Sequence, residues 1–261
     1  MIIDLTGYHA VVGGATRGLG LAIAQQLAQS GATITLLARN QAKLEQARDL
    51  LAAREGQKHD FLEVDFLEFD TFRERTTSFF ENKKVDILVN NTNGPQAGTV
   101  EQKSTEAYQE AFDLLFKTYH HLSHLLLEGM KERGFGRILN VASVSVKEPM
   151  PNLVLSNSIR SALVSWAKSL AQAAAPYGVT VNSILTGAFD TERIRELTEN
   201  QVQGTGKSLE ELMEARKAAI PAARFGKPEE YGYLLTFLAS PQAAYITGAS
   251  IPIDGGASRG L

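Results

Sequence analysis

Short apolar, β-branched runs alternate along the chain with longer stretches that are apolar at three-and-four spacing. The runs are YHAVVGG, ATITLLA, HDFLEV, VDILVNN, GRILNVAS, VTVNSIL and SIPIDGG. Between the earlier ones lie GLAIAQQLAQSG, QAKLEQARDLLAARE and FDTFRERTTSFFENK, each with the period of an amphipathic helix. Strand–helix alternation at this spacing predicts an α/β fold: a doubly wound parallel sheet of about seven strands with helices on both faces. No Pro/Gly/Ser linker and no internal repeat interrupts it, so 1–261 reads as a single domain. Only Thr191 to Lys217, TERIRELTENQVQGTGKSLEELMEARK, breaks the rhythm. It carries two polar helical patterns split by Gly204 and Gly206, which predicts a helical excursion off the sheet.

Composition narrows the function classes more than it suggests one. Of 261 residues, 44% are hydrophobic and 21% charged, ordinary values for a soluble globular chain. A net charge of −3 without a basic block argues against nucleic acid and anionic membrane as partners. Cysteine is absent, which excludes disulfides, thiolate catalysis and thiolate metal sites. No apolar run is long enough to span a bilayer, and the N-terminal stretch reads straight into a strand without a leader pattern, so the protein is expected to be cytoplasmic.

The chemistry begins at VVGGATRGLGLAIAQQLAQSG, which places Gly14, Gly18 and Gly20 between the first strand and its helix. Glycines there let the backbone turn tightly beside a pyrophosphate, which rests at the positive end of the helix in a Rossmann-type fold. The second strand ends LLARN. A fold that selects NAD usually has an acid here for the ribose hydroxyls. This chain has Ala38 and then Arg39, and Arg17 lies inside the glycine loop. Two cations and no acid suit a 2′-phosphate, so NADP(H) is expected; the bland alternative is a pair of solvated surface arginines.

These residues, together with others further on, resemble the short-chain dehydrogenase/reductase family, in its 3-oxoacyl-(acyl carrier protein) reductase-like branch, over nearly the whole length. GGATRGLG resembles the family's TGxxxGxG loop, and NNTNG, Asn90 to Gly94, stands for NNAG. Asp65 matches the acid that contacts adenine. VNSILTGAFDT resembles VNxxxPGxxxT, with Thr186 where proline is usual and Thr191 at the cofactor-contacting threonine. GKPEEY, FLAS and YITGASIPIDGG resemble the C-terminal signature. The resemblance implies a cofactor set of Gly14, Thr16, Arg17, Gly18, Leu19, Gly20, Arg39, Asp65, Phe66, Asn91, Thr92, Gly187 and Thr191. It further implies a homotetramer built partly through the helices around Leu115–Lys131 and Ser156–Pro176.

The family's catalytic residues are Asn, Ser, Tyr and Lys, and here the match thins. GRILNVASVS ends at the catalytic serine position, Ser143. Counting onward, the tyrosine position falls on Ser156 and the lysine on Arg160; the asparagine position falls near Leu115. A serine hydroxyl is far less acidic and shorter than a phenol, and a guanidinium is a planar fork rather than a point charge. Ser143, Ser156 and Arg160 are the candidate catalytic residues. The alternative is that Ser156 caps its helix and Arg160 binds phosphate or ribose. Lys147 is the one nearby lysine that could replace the missing one, or it is a solvated loop residue. His120 and His124 have helical ligand spacing, but no acid or third ligand accompanies them, so no metal is expected.

Two functions are consistent with this set. One is an NADP(H)-dependent oxidoreductase acting on a small-molecule carbonyl or alcohol, with altered proton chemistry. The other is a nucleotide-binding sensor or scaffold without turnover.

Overall fold

The computed structural model describes residues 2–54, 56–202 and 205–260. Met1, Glu55, Gln203, Gly204 and Leu261 lie outside them.

All seven apolar runs are strands: β1 (His9–Gly13), β2 (Thr33–Ala38), β3 (Asp60–Glu63), β4 (Ile87–Asn90), β5 (Gly136–Val141), β6 (Val179–Thr186) and β7 (Ser250–Ile253). Every pairing is parallel, in the order β3-β2-β1-β4-β5-β6-β7. The order reverses direction between β1 and β4, the Rossmann-type switch point at whose carboxyl edge dinucleotides bind.

Alternation along each strand divides the core. Ala10 and Val12 of β1 face one cluster, which holds Ile23, Leu27, Tyr231 and Leu235. Val11 faces the other, with Phe72, Leu115, Leu122 and Ile159. Helices α1 (Gly18–Gln29), α2 (Gln41–Asp49) and α9 (Pro228–Ala239) supply the first layer. Helices α3 (Phe69–Phe80), α4 (Thr105–Phe112), α5 (Thr118–Glu132) and α6 (Val154–Ala174) supply the second. Because both faces are covered, the central strands β4 and β5 are buried at every position rather than on alternate ones.

Two expectations need correction. Helix α2 stops at Asp49 instead of running on through the apolar stretch after it. There the chain turns so that His59 Nε2 meets the Ala52 carbonyl at 3.0 Å while its Nδ1 accepts from the Ile34 N–H of β2 at 3.1 Å. The alternative that Ser156 caps its helix also fails: the first residue of that helix is Val154 and its N-cap is Leu153. Ser156 is therefore inside the first turn and does not cap it.

The excursion is present as α7 (Glu192–Val202) and α8 (Leu209–Ala218). Ser208 and Glu211 form a capping box that starts α8. Gly206 has φ of 66°, the left-handed turn expected between the two helices; Gly204 is outside the described residues. A small apolar cluster of Ile194, Ile220 and Phe225, with Met213 against it, ties the excursion to the body.

Candidate active site

The expected site residues converge on the carboxyl edge of the sheet. Gly14, Thr16, Arg17, Gly18, Leu19 and Gly20 follow β1; Arg39 follows β2; Asp65 and Phe66 follow β3. Asn91 and Thr92 follow β4, Ser143 follows β5, and Gly187 follows β6. Parallel strands bring all of these carboxyl ends to one edge although Gly14 and Gly187 are 173 positions apart.

The glycine loop fits a dinucleotide pyrophosphate. A Cβ on Gly20 would collide with the carbonyl oxygen of Gly14, and Gly14 itself has φ of 57°. Asn91 Nδ2 donates to the Gly13 carbonyl at 2.9 Å and ties β4 to the loop. Helix α1 has no acid in its first turn, and its N-cap Arg17 makes no side-chain cap, so its first N–H groups face the cleft. Thr191 stands against the loop, its Cγ2 3.5 Å from where a Gly18 side chain would begin.

At the adenosine end, Arg39 and Asp65 line one pocket of ≈ 260 Å³. Two features there escaped the sequence reading. Arg75, from α3, adds a second cation to the pocket. Parallel register also sets Glu63 of β3 beside Ala38, so an acid does approach the end of β2 from the neighbouring strand. Arg17 is engaged rather than free: it forms ion pairs with Glu192 and, at 3.2 Å, with Glu196, both on α7. The hydrogen bond to Glu192 is the main reason its guanidinium pKa is raised.

At the substrate end, Ser143 is half-buried and starts a short 3-10 turn, accepting from the Ser145 N–H at 3.1 Å. Ser156 is half-buried two residues into α6. Arg160 has no hydrogen bond to either serine among the described residues. It is 7% exposed, and its guanidinium donates to the main-chain carbonyl of Val141, the last residue of β5. The buried phenol of Tyr119 reaches the same carbonyl at 3.5 Å. Across the sheet edge, Thr186 and the fully buried Tyr231 share a hydrogen bond of 2.8 Å between hydroxyls. Burial raises the Tyr231 pKa, so this phenol stays protonated.

Leu115, at the asparagine position, is completely buried in a π-helical turn, Asp113–Lys117, between α4 and α5. Such turns recur at functional sites, but this side chain has only hydrocarbon to offer. Lys147 is exposed. His120 and His124 stack at 5.9 Å in an aromatic row with Phe116 and Trp166, which accounts for their helical spacing.

Known proteins match the chain over nearly its whole length. The family model for enoyl-(acyl carrier protein) reductase matches residues 14–258. The chain belongs to the short-chain dehydrogenase/reductase family. It is 32% identical to the 3-oxoacyl-[acyl-carrier-protein] reductase FabG of Vibrio cholerae, covering 97% of this chain and 98% of that one. It is 30% identical to the NADPH-dependent reductase BacG of Bacillus subtilis, again over 97% and 98%. Among solved structures, an NADPH-bound short-chain oxidoreductase from Pseudomonas aeruginosa that contains an atypical catalytic center matches with a TM-score of 0.87. The identity is 30%, over 99% of this chain and 100% of that one. Among the described residues, no helix is long and apolar enough to cross a membrane.

Proposed function

We propose that the chain is an NADP(H)-dependent oxidoreductase acting on a small-molecule carbonyl or alcohol, with a 3-oxoacyl-like substrate and atypical catalytic residues. The observation that carries this reading is the glycine cradle at the switch point, with Arg17 and Arg39 on its adenosine side and Ser143 at the end of β5. The relatives named above as NADPH-dependent or NADPH-bound support the choice of cofactor. The bound nicotinamide would supply the hydride.

The chain's own groups then have three tasks. Gly14, Thr16, Gly18, Leu19 and Gly20 would seat the pyrophosphate, with Asp65, Phe66, Asn91, Thr92, Gly187 and Thr191 along the rest of the dinucleotide. The Ser143 hydroxyl would orient the carbonyl oxygen. Ser156 replaces the usual phenol, and Arg160 fixes the Val141 carbonyl beneath Ser143 rather than reaching toward ribose. Losing a general acid costs about 10²–10⁴-fold in rate, or roughly 3–5 kcal/mol of barrier. Positioning remains, and water can deliver the proton.

The segment Thr191–Lys217 would cover the substrate end of the cleft; the bond from Arg193 to the Pro95 carbonyl after β4 supports this. The same reading makes the protein a cytoplasmic homotetramer. In support, the π-helical turn before α5 and helix α6 present partly exposed rings, with Phe116 and Trp166 at 5.8 Å.

A second reading, a nucleotide-binding protein without turnover, is favoured by one observation: Leu115 and the buried Arg160 leave two of the four catalytic positions without a group in the cleft. Assaying NADPH oxidation by the purified chain against a 3-oxoacyl thioester and a ketone panel separates the two. Substrate-dependent oxidation supports the enzyme, and cofactor binding without oxidation supports the second reading.

A further inference from the structure

Arg17 is the glycine loop's only side-chain cation, and α7 holds both of its terminal nitrogens. Nη1 goes to Glu192 and Nη2 to Glu196, the latter at 3.2 Å. The same turn of α7 has a second tie: Arg193 donates to the Pro95 carbonyl at 3.0 Å, in the segment after β4. It also pairs with Glu196 at 3.6 Å. Helix α7 therefore bridges the cleft from the loop after β1 to the loop after β4, and Arg17 anchors one end.

A guanidinium fork can serve one bidentate anion well, and a phosphate dianion competes directly with carboxylates for it. Arg17 cannot take a 2′-phosphate with its present partners in place. Once displaced, the two carboxylates face a like charge. Glu196 keeps Arg193, whereas among the described residues Glu192 has no other ion pair. NADH carries no 2′-phosphate and leaves the arrangement undisturbed.

We propose that Glu192 and Glu196 are cofactor-discriminating residues: they hold Arg17 as counter-ions, so the 2′-phosphate that distinguishes NADP(H) from NAD(H) must displace them and thereby unlatches α7 from the glycine loop. This inference rests on the reading that the cleft binds NADP(H). It makes the covering helices responsive to the phosphate and not to the nicotinamide.

The test is a binding titration of the full chain with NADPH and, separately, with NADH, for the wild type and for Glu192→Gln/Glu196→Gln. The double variant should bind NADPH about three- to tenfold more tightly, the scale of two partly exposed ion pairs, and NADH within about twofold of the wild type. Unchanged or weaker NADPH binding overturns the proposal; weaker binding would mean that the glutamates hold Arg17 in place for the phosphate. Hydrogen exchange on the wild type gives a measurement independent of the variant's folding. The first turns of α7 should exchange faster with NADPH than without cofactor, and NADH should not speed them. Equal exchange in all three states overturns the latch while leaving the cofactor reading intact. Absence of NADPH binding in both proteins overturns the two together.

Discussion

Arg160 of α6 donates to the carbonyl of Val141, 19 residues back along the chain at the end of β5. That bond decides what the arginine can do. A lysine at this position carries a single flexible ammonium, whereas Nη1 of the Arg160 fork is held at the end of the strand that leads to Ser143 two residues later. Under the proposed function, Arg160 would be a positioning residue for Ser143, acting through the Val141 carbonyl.

Restoring the family pair should therefore have separable consequences. Arg160→Lys alone gives up a charged hydrogen bond to a buried carbonyl, worth about 1.5–3 kcal/mol, and should lower the denaturant midpoint with little gain in rate. Ser156→Tyr with Arg160→Lys should raise carbonyl reduction by about 10²-fold or more if the phenol finds room. NADPH affinity should change little. Steady-state kinetics beside denaturant unfolding check this. A double variant that folds, binds NADPH and is no faster than wild type would place the proton donor elsewhere, with Ser143 and Lys147 next to be changed.

Thr186 and Tyr231 offer a cleaner energetic test, because their hydroxyls meet at 2.8 Å in a buried setting. Thr186→Val strands a buried phenol and should cost about 1–3 kcal/mol. Tyr231→Phe leaves only the half-buried threonine unpaired and should cost less, roughly 0.5–1.5 kcal/mol. The double variant should be more stable than the sum of the singles implies, by about 0.5–1.5 kcal/mol. Strict additivity in a double-mutant cycle would show that the two hydroxyls do not depend on each other.

Stability should also depend on His9, at the edge opposite the cleft. Its Nδ1 meets the Lys84 carbonyl at 2.6 Å and its Nε2 meets Thr35 Oγ1 at 2.8 Å. Burial is the largest influence and lowers its pKa below the ordinary 6.5; the Lys84 carbonyl and Asp86 oppose the shift, and Lys83 assists it. The unfolded chain thus binds the proton more readily than the folded one. Stability is full above 6.5, falls as pH drops below it, and stops falling from this source at the folded pKa. His9→Gln should flatten that decline in a series of denaturant midpoints. An unchanged slope would assign it to His120 and His121, whose pKa values are also lowered by burial.

The strands were legible because each is an apolar run bounded by turn residues, and the parallel sheet follows from the helices between them. The glycine loop was equally plain, since a backbone that must approach a phosphate leaves its mark in the residue type. Side-chain partners were not. Nothing near Arg17 in the chain announces Glu192, which lies 175 positions away and reaches it only because α7 folds back over the loop. Likewise Ala38 reads as an acid-free strand end until register sets Glu63 beside it. The partner of Arg160 is a main-chain carbonyl, a group that every residue type carries alike and that sequence therefore does not mark. For Ser156 the limit was the helix boundary: a start at Val154 rather than at the serine removes the capping role.

The most direct measurement is the rate of NADPH consumption by the purified chain with and without a carbonyl substrate, in wild type and Ser143→Ala. The account predicts saturable NADPH binding in both proteins and a slow, substrate-dependent oxidation in the wild type. That rate should sit about 10²–10⁴-fold below an enzyme with its acid in place, and Ser143→Ala should reduce it further. Tight NADPH binding with no oxidation across 3-oxoacyl thioesters and simple ketones would contradict it.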